Sequence, residues 1–181
     1  MEYKKLSEVA DILTGARISR FNTLNTKKQA VIKKIYSNNE FDYELEEISE
    51  DLDQKFYTKR NDILISLTNP HTVIKVNKEG YIVPMTYIIV RVKSDYDAEY
   101  IYQILKNEII PKKINRLIEG SILKTIRVIY LKEINIPIID FEKQKKMVKL
   151  LSLFEKRRKL CQRSIELTKE LEKGVFEKFL D

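Results

Sequence analysis

The chain is poor in the residues that carry redox and metal chemistry: it has one cysteine, Cys161, one histidine, His71, and no tryptophan. A single cysteine closes no internal disulfide, and with one histidine it assembles no Cys/His zinc cluster. Glycine and proline are scarce too, four of each in 181 residues, which excludes collagen-like and low-complexity classes. No apolar run approaches the length needed to cross a bilayer, and the opening MEYKKLSEVADILTG has early lysines without the continuous apolar segment of a secretory signal. A cytoplasmic protein is expected. GxGxxG, the Walker P-loop, GxSxG and HExxH are all missing, so no cofactor is implied.

What is present is charge on an apolar framework: 34% charged residues, 43% hydrophobic residues and a net charge of +7. The apolar fraction suits a folded domain. Residues 143–181 hold twelve Lys/Arg against six Asp/Glu, whereas residues 1–142 hold twenty-two against twenty-one. The stretch EFDYELEEISEDLD, Glu40 to Asp53, contains eight acids and no base. Cations cluster elsewhere, at Arg17, Arg20, Lys27, Lys28, Lys33 and Lys34 and at Lys112, Lys113, Arg116, Lys124 and Arg127. A polyanion is expected to bind one face and avoid another.

Periodicity places the elements. LSEVADIL spaces Leu6, Val9, Ala10 and Leu13 at helical intervals and predicts a short helix ended by Thr14-Gly15. Gln29 to Glu50 alternates apolar with polar residues around SNN, which predicts strand, turn, strand. DILISL, TVIKV and MTYIIVRV predict further strands, with TNPH and NKEG as turns. DAEYIYQILKN predicts a helix capped by Asp97, and IIPKKINRLIEGS a second one, with Pro111 in its first turn and Gly120 at its end. ILKTIRVIYL returns to strand, and INIPI stays extended because Pro137 restricts Ile136.

The last forty or so residues read as one helix. Met147, Leu151, Phe154, Cys161, Ile165, Thr168, Val175 and Phe179 follow coiled-coil spacing, and Leu150, Leu153, Leu160, Leu167 and Leu171 form a second stripe beside them. Such a helix is about 60 Å long, and so many leucines on it call for partners.

Few residues suggest catalysis. Asp42 with Asp53-Gln54-Lys55 has the outline of a metal-dependent nuclease motif, but in so charged a chain the match is cheap, and an acidic run repels a phosphate backbone. His71, behind the turn residues Asn69-Pro70, has no partner carboxylate or nucleophile in the sequence pattern and reads as a polar loop contact. Cys161 reads as a small packing residue, and Lys156-Arg157-Arg158-Lys159 as a solvated face with phosphate or acidic-partner contact as the sharper alternative.

KKLSEVADILTG, RNDILISL, EGSILKTIRVIYLKEINIPI and FEKQKKMVKLLSLFEKRRK, in that order, resemble the DNA-specificity subunit of type I restriction–modification systems. The resemblance implies an α+β fold: a mixed α/β target-recognition domain, residues 1–139, followed by a long C-terminal coiled-coil-forming helix, residues 140–181. It implies a half-size form that homodimerises, reads a split inverted-repeat DNA target and directs methyltransferase and restriction subunits without being an enzyme itself. Arg17, Arg20, Asn22, Lys27, Lys28, Thr68, Asn69, His71, Thr72, Ser121, Lys124 and Arg127 are the candidate DNA contacts, a choice based on loops and charge. Met147, Leu151, Phe154, Cys161, Ile165, Val175 and Phe179 are the candidate dimer or partner contacts, and no metal site is expected. The alternative is a coiled-coil adaptor that binds protein and no DNA.

Overall fold

A computed structural model describes residues 2–21, 25–68, 72–107 and 128–180. In chain order the elements are β1 (Glu2–Lys5), α1 (Leu6–Val9), β2 (Ala10–Thr14), β3 (Thr26–Tyr36), β4 (Glu40–Ser49), β5 (Ile63–Ser66), β6 (Val73–Lys75), β7 (Tyr87–Val92), α2 (Ala98–Lys106), α3 (Val128–Lys132), β8 (Asn135–Ile138) and α4 (Phe141–Leu180). They form two compact units, Met1–Phe141 and Glu142–Asp181.

The first unit is organised by β5 and β7, whose continuous β-branched and aromatic runs suit strands buried on both faces. They are the middle strands of an antiparallel sheet of order β2-β7-β5-β6. On one face Leu64, Ile74 and Ile89 meet Ile32 and Ile35 of β3, together with Val76, Val83 and Tyr87. The opposite face carries Ile12, Ile63, Ile65, Ile88 and Val90, all buried. Burying one such side chain stabilises a fold by roughly 1.5–3 kcal/mol, so this layer dominates the core. β1 and β8 pair separately, with Tyr3 opposite Pro137. The side chain of Asp97 accepts from Tyr100 N at 2.9 Å and starts α2, as the sequence leads one to expect.

Two local expectations give way to tertiary context. Helix α1 is a single turn, and Ala10–Thr14 is instead a strand, because β7 offers a full edge partner from Ala10↔Val92 to Thr14↔Ile88. Val128–Lys132, β-prone by composition, is a helical turn that buries Leu131. The predicted helix over 109–121 lies outside the described residues.

The second unit is α4, a helix of 40 residues with alternating charge and apolar positions along its length. Among the described residues no helix is long and apolar enough to cross a membrane.

Candidate functional site

Sheet register decides which loops meet. β2 ends at Thr14 opposite Ile88, β5 ends at Ser66 opposite Tyr87, and β6 begins at Val73 opposite Ile65. The segments after β2, after β5 and before β7 therefore leave the sheet at one end. Backbone hydrogen bonds join them: Gly15 N donates to Tyr87 O (3.0 Å), Met85 N to Ala16 O (2.8 Å), Leu67 N to Thr86 O (2.9 Å) and Ser66 N to Thr72 O (3.1 Å).

This junction gathers Arg17, Arg20, Thr68 and Thr72 from separate parts of the sequence. Arg17, Arg20 and Thr68 are exposed, while Thr72 is half-buried. Arg17 precedes and Arg20 ends a 3₁₀ turn, Ile18–Arg20, held in place by Ile18 and Phe21, which pack on Ala16, Val31, Ile48, Leu52 and Ile82. The Thr68 hydroxyl lies 3.2 Å from that of Ser66. Two exposed guanidinium groups and a hydroxyl on a braced loop platform suit phosphate positioning and reading of base edges.

The platform depends on Gly15. A Cβ at this position would fall well inside van der Waals contact of the Val83 and Pro84 carbonyl oxygens, both of them backbone atoms. Gly15→Ala is expected to destabilise the unit by about 2 kcal/mol and to displace the Arg17–Arg20 turn. A thermal melt and amide-exchange rates at Ala16 and Met85 check it; an unchanged melt with unchanged exchange refutes the close approach.

Lys27 and Lys28 sit on β3, outside this junction. Lys27 pairs with Glu50 (3.5 Å) and Lys28 lies opposite Glu47. Further along, Lys33 pairs with Glu44 and Glu46, and its hydrogen bond to Glu46 is the main reason its pKa is raised. The acidic run is therefore largely laid against the basic strand, and much of the charge contrast seen in the sequence is neutralised within one hairpin. Asn22, Asn69, His71, Ser121, Lys124 and Arg127 lie outside the described residues.

The nuclease outline loses its geometry. Asp42 accepts from the Tyr36 hydroxyl near the hairpin turn, whereas Asp53 lies beyond the other end of β4, whose last residue Ser49 is about 23 Å from Asp42 at a strand's rise per residue. Asp53 caps its own 3₁₀ turn through Lys55 N (2.9 Å) and pairs with Lys55 Nζ (2.7 Å), contacts that hold its carboxyl below the usual range. Among the described residues no cluster of His, Cys, Asp and Glu could hold a metal ion.

On α4, Met147, Phe154, Ile165, Val175 and Phe179 are between 41% and 85% exposed, Cys161 is exposed and Leu151 is half-buried. The neighbouring Leu150, Leu153, Leu160, Leu167 and Leu171 are exposed as well, at 43% to 71%. A helix with this much apolar surface is built to be covered.

The family model for the type I restriction modification DNA specificity domain matches residues 1–171. The chain belongs to that family. Solved structures similar to this specificity domain include a chain from a study of complex assembly and conformational transition of the type I R-M system, with 15% identity and a TM-score of 0.67 over 90% of this chain and 40% of that one. The HsdS subunit from Thermoanaerobacter tengcongensis gives 16% identity and a TM-score of 0.67 over 88% of this chain and 43% of that chain. The S subunit of a type I restriction-modification system from M. genitalium gives 13% and 0.58, over 86% and 39%. At these identities the likeness is one of fold, a mixed α/β unit with a long C-terminal helix. The specificity domain spans about two fifths of the length of these solved chains. No curated protein matches it.

The sequence missed some residues of interest around the sheet. Met85 is 47% exposed within the loop junction, and Lys59, Arg60 and Lys78 are exposed next to a hollow beside β5. The run TKRND before the central strand was the available signal for the first two.

Proposed function

We propose that the chain is a half-size specificity subunit of a type I restriction–modification system, with its recognition domain over residues 1–139 and its conserved helix over residues 140–181. It works on DNA in the cytoplasm. Arg17 and Arg20, with the lysines at the foot of β3, position the phosphate backbone, and Thr68, Thr72 and their neighbouring loop residues read base edges in the major groove. Two copies join through α4, so the target is an inverted repeat with an unread spacer. Methyltransferase subunits dock on the joined helices and bring restriction subunits with them. The chain itself moves no methyl group and cuts no strand.

One observation carries this reading: a chain matched by the specificity family over residues 1–171 has a 40-residue helix with its apolar seam and its leucine stripe both exposed.

The deciding experiment selects a random duplex library on the purified chain, with and without a type I methyltransferase subunit, and sequences what is retained. Two inverted half-sites at fixed spacing are the expected result. No enrichment by folded protein in either condition sinks the reading in favour of a protein-binding adaptor.

A further inference from the structure

At the end of the central sheet opposite the loop junction, the Gln54–Arg60 loop and the Glu79–Gly80 turn border an open hollow of about 540 Å³. Lys59 and Arg60 line it, and Lys78 adjoins it; all three are exposed. Among the described residues none of the three forms an ion pair, in contrast to Lys27, Lys33, Lys55 and Lys75, each of which faces an acid. The carboxylate in the lining, that of Glu79, already accepts from Arg60 N at 3.0 Å.

The frame behind these cations is fixed. Thr58 Oγ1 donates to Lys78 O (2.9 Å) and accepts from Tyr81 N (3.1 Å), and Gly80 N donates to Thr58 O (3.0 Å). Gly80 turns the chain at φ 84°, and Asn61 does so at φ 68°. Lys59 N donates to Asp62 Oδ2 at 2.8 Å. Three cations with no acid paired to them among the described residues, set on a backbone that does not have to be ordered on binding, pay only the side-chain share of the ordering cost when they take up an anion.

The hollow is also tied to the Arg17–Arg20 turn. Phe21 and Phe56 lie ring to ring at 6.5 Å, Val83 N donates to Phe56 O (2.9 Å) and Ala16 N to Val83 O (2.8 Å). Arg60 follows Phe56 by four residues, so the hollow and the Arg17–Arg20 turn share one packed frame.

We propose that Lys59, Arg60 and Lys78 form a second DNA-backbone clamp, which takes phosphates flanking the bases read at the loop junction. This rests on the reading of the chain as a DNA-recognition subunit. The contact is blind to sequence, since phosphates are the same at every base pair; it adds affinity and fixes how the recognition unit lies along the duplex. Each phosphate neutralised releases counterions and adds about 0.9 to the slope of log K against log salt.

The test compares the full chain with its Lys59→Gln, Arg60→Gln, Lys78→Gln triple variant on two duplexes: one carrying the selected target with flanks, the other trimmed to the read bases. On the flanked duplex the variant is expected to bind about 100-fold more weakly at 0.1 M salt, with a salt slope shallower by about 2 to 3. On the trimmed duplex the two proteins bind alike, and the motif selected from random DNA does not change. Matching circular dichroism melts establish that the variant is folded. Equal affinity and equal slope on the flanked duplex, with the wild-type motif intact, overturn the clamp alone. Loss of an acidic partner protein without change in DNA binding overturns it likewise and assigns the patch to protein contact. A wild-type chain that selects no duplex overturns the recognition reading together with the clamp.

Discussion

Asp62→Ala is expected to cost the first unit about 3 kcal/mol, a large share of the stability of a domain this size. The Asp62 side chain is 1% exposed and that of Arg91 18%. Arg91 grips it with both prongs, Nε to Oδ1 and Nη2 to Oδ2, each at 2.9 Å, while Nη2 also donates to Tyr57 O at 2.7 Å. Lys59 N supplies a further donor to Asp62. Removing the carboxylate breaks the guanidinium's bidentate pair, which the exposed Asp11 opposite Arg91 on β2 does not replace at the buried side, and this is far worse than exchanging both partners for apolar groups. At a denaturant slope of about 2 kcal/mol per M, the urea midpoint should fall by about 1.5 M with the slope unchanged. The double variant Asp62→Leu, Arg91→Met should recover at least half of that loss. A single variant with the wild-type midpoint would mean that the pair is solvated and contributes nothing. Because the same carboxylate anchors Lys59 N, the single variant should also loosen the loop that carries Lys59 and Arg60.

Much of this architecture could be read from residue patterns, where one local signal pointed one way. Ile63–Ser66 and Tyr87–Val92 are apolar runs of β-branched and aromatic residues bounded by turns, and the SNN turn between two alternating tracts announced the β3–β4 hairpin. Asp97 declared the start of α2 and Pro137 the extended stretch of β8. Patterns failed where two periods fitted the same residues. Leu6, Val9, Ala10 and Leu13 suit a helix, but Ala10 and Ile12 are equally the inward residues of a strand, and only the open edge of β7 decides between them. In Val128–Lys132 burial of Leu131 prevails over β propensity.

The site was legible by residue type and illegible by neighbourhood. Arg17, Arg20, Thr68 and Thr72 stand out as loop residues, yet nothing in their spacing shows that strand register delivers them to one end of one sheet. For Lys27 and Lys33, the sequence shows cations on one strand and acids on the next without the cross-strand pairing that lets them cancel. Lys59 and Arg60 stand beside Asp62 in the sequence, and only the structure assigns that acid's side chain to Arg91.

Phe154→Lys with Ile165→Lys is expected to abolish self-association through α4. The two residues are 48% and 51% exposed on the chain and belong to the seam with Met147, Leu151, Cys161, Val175 and Phe179. In a twofold dimer each substitution acts twice, so two changes remove four apolar side chains and bury four cations. At roughly 1.5–3 kcal/mol for each lost side chain, an increase in Kd of at least about 1,000-fold follows, because that requires only about 4 kcal/mol. Sedimentation at micromolar concentration should then change from two chains to one, and the selected DNA from an inverted repeat to a single weakly held half-site. The Leu150, Leu153, Leu160, Leu167 and Leu171 stripe provides the contrast, since it lies beside the seam and not within it. Replacing Leu160 and Leu171 by lysine should leave the dimer and its inverted repeat in place and remove the methyltransferase subunit from the complex. If both pairs of substitutions release the second copy, the two stripes form one surface, and a single helix face cannot serve the dimer and the enzyme at once. If neither does, α4 is not the element that joins the copies, and the fixed spacing between half-sites must be set elsewhere.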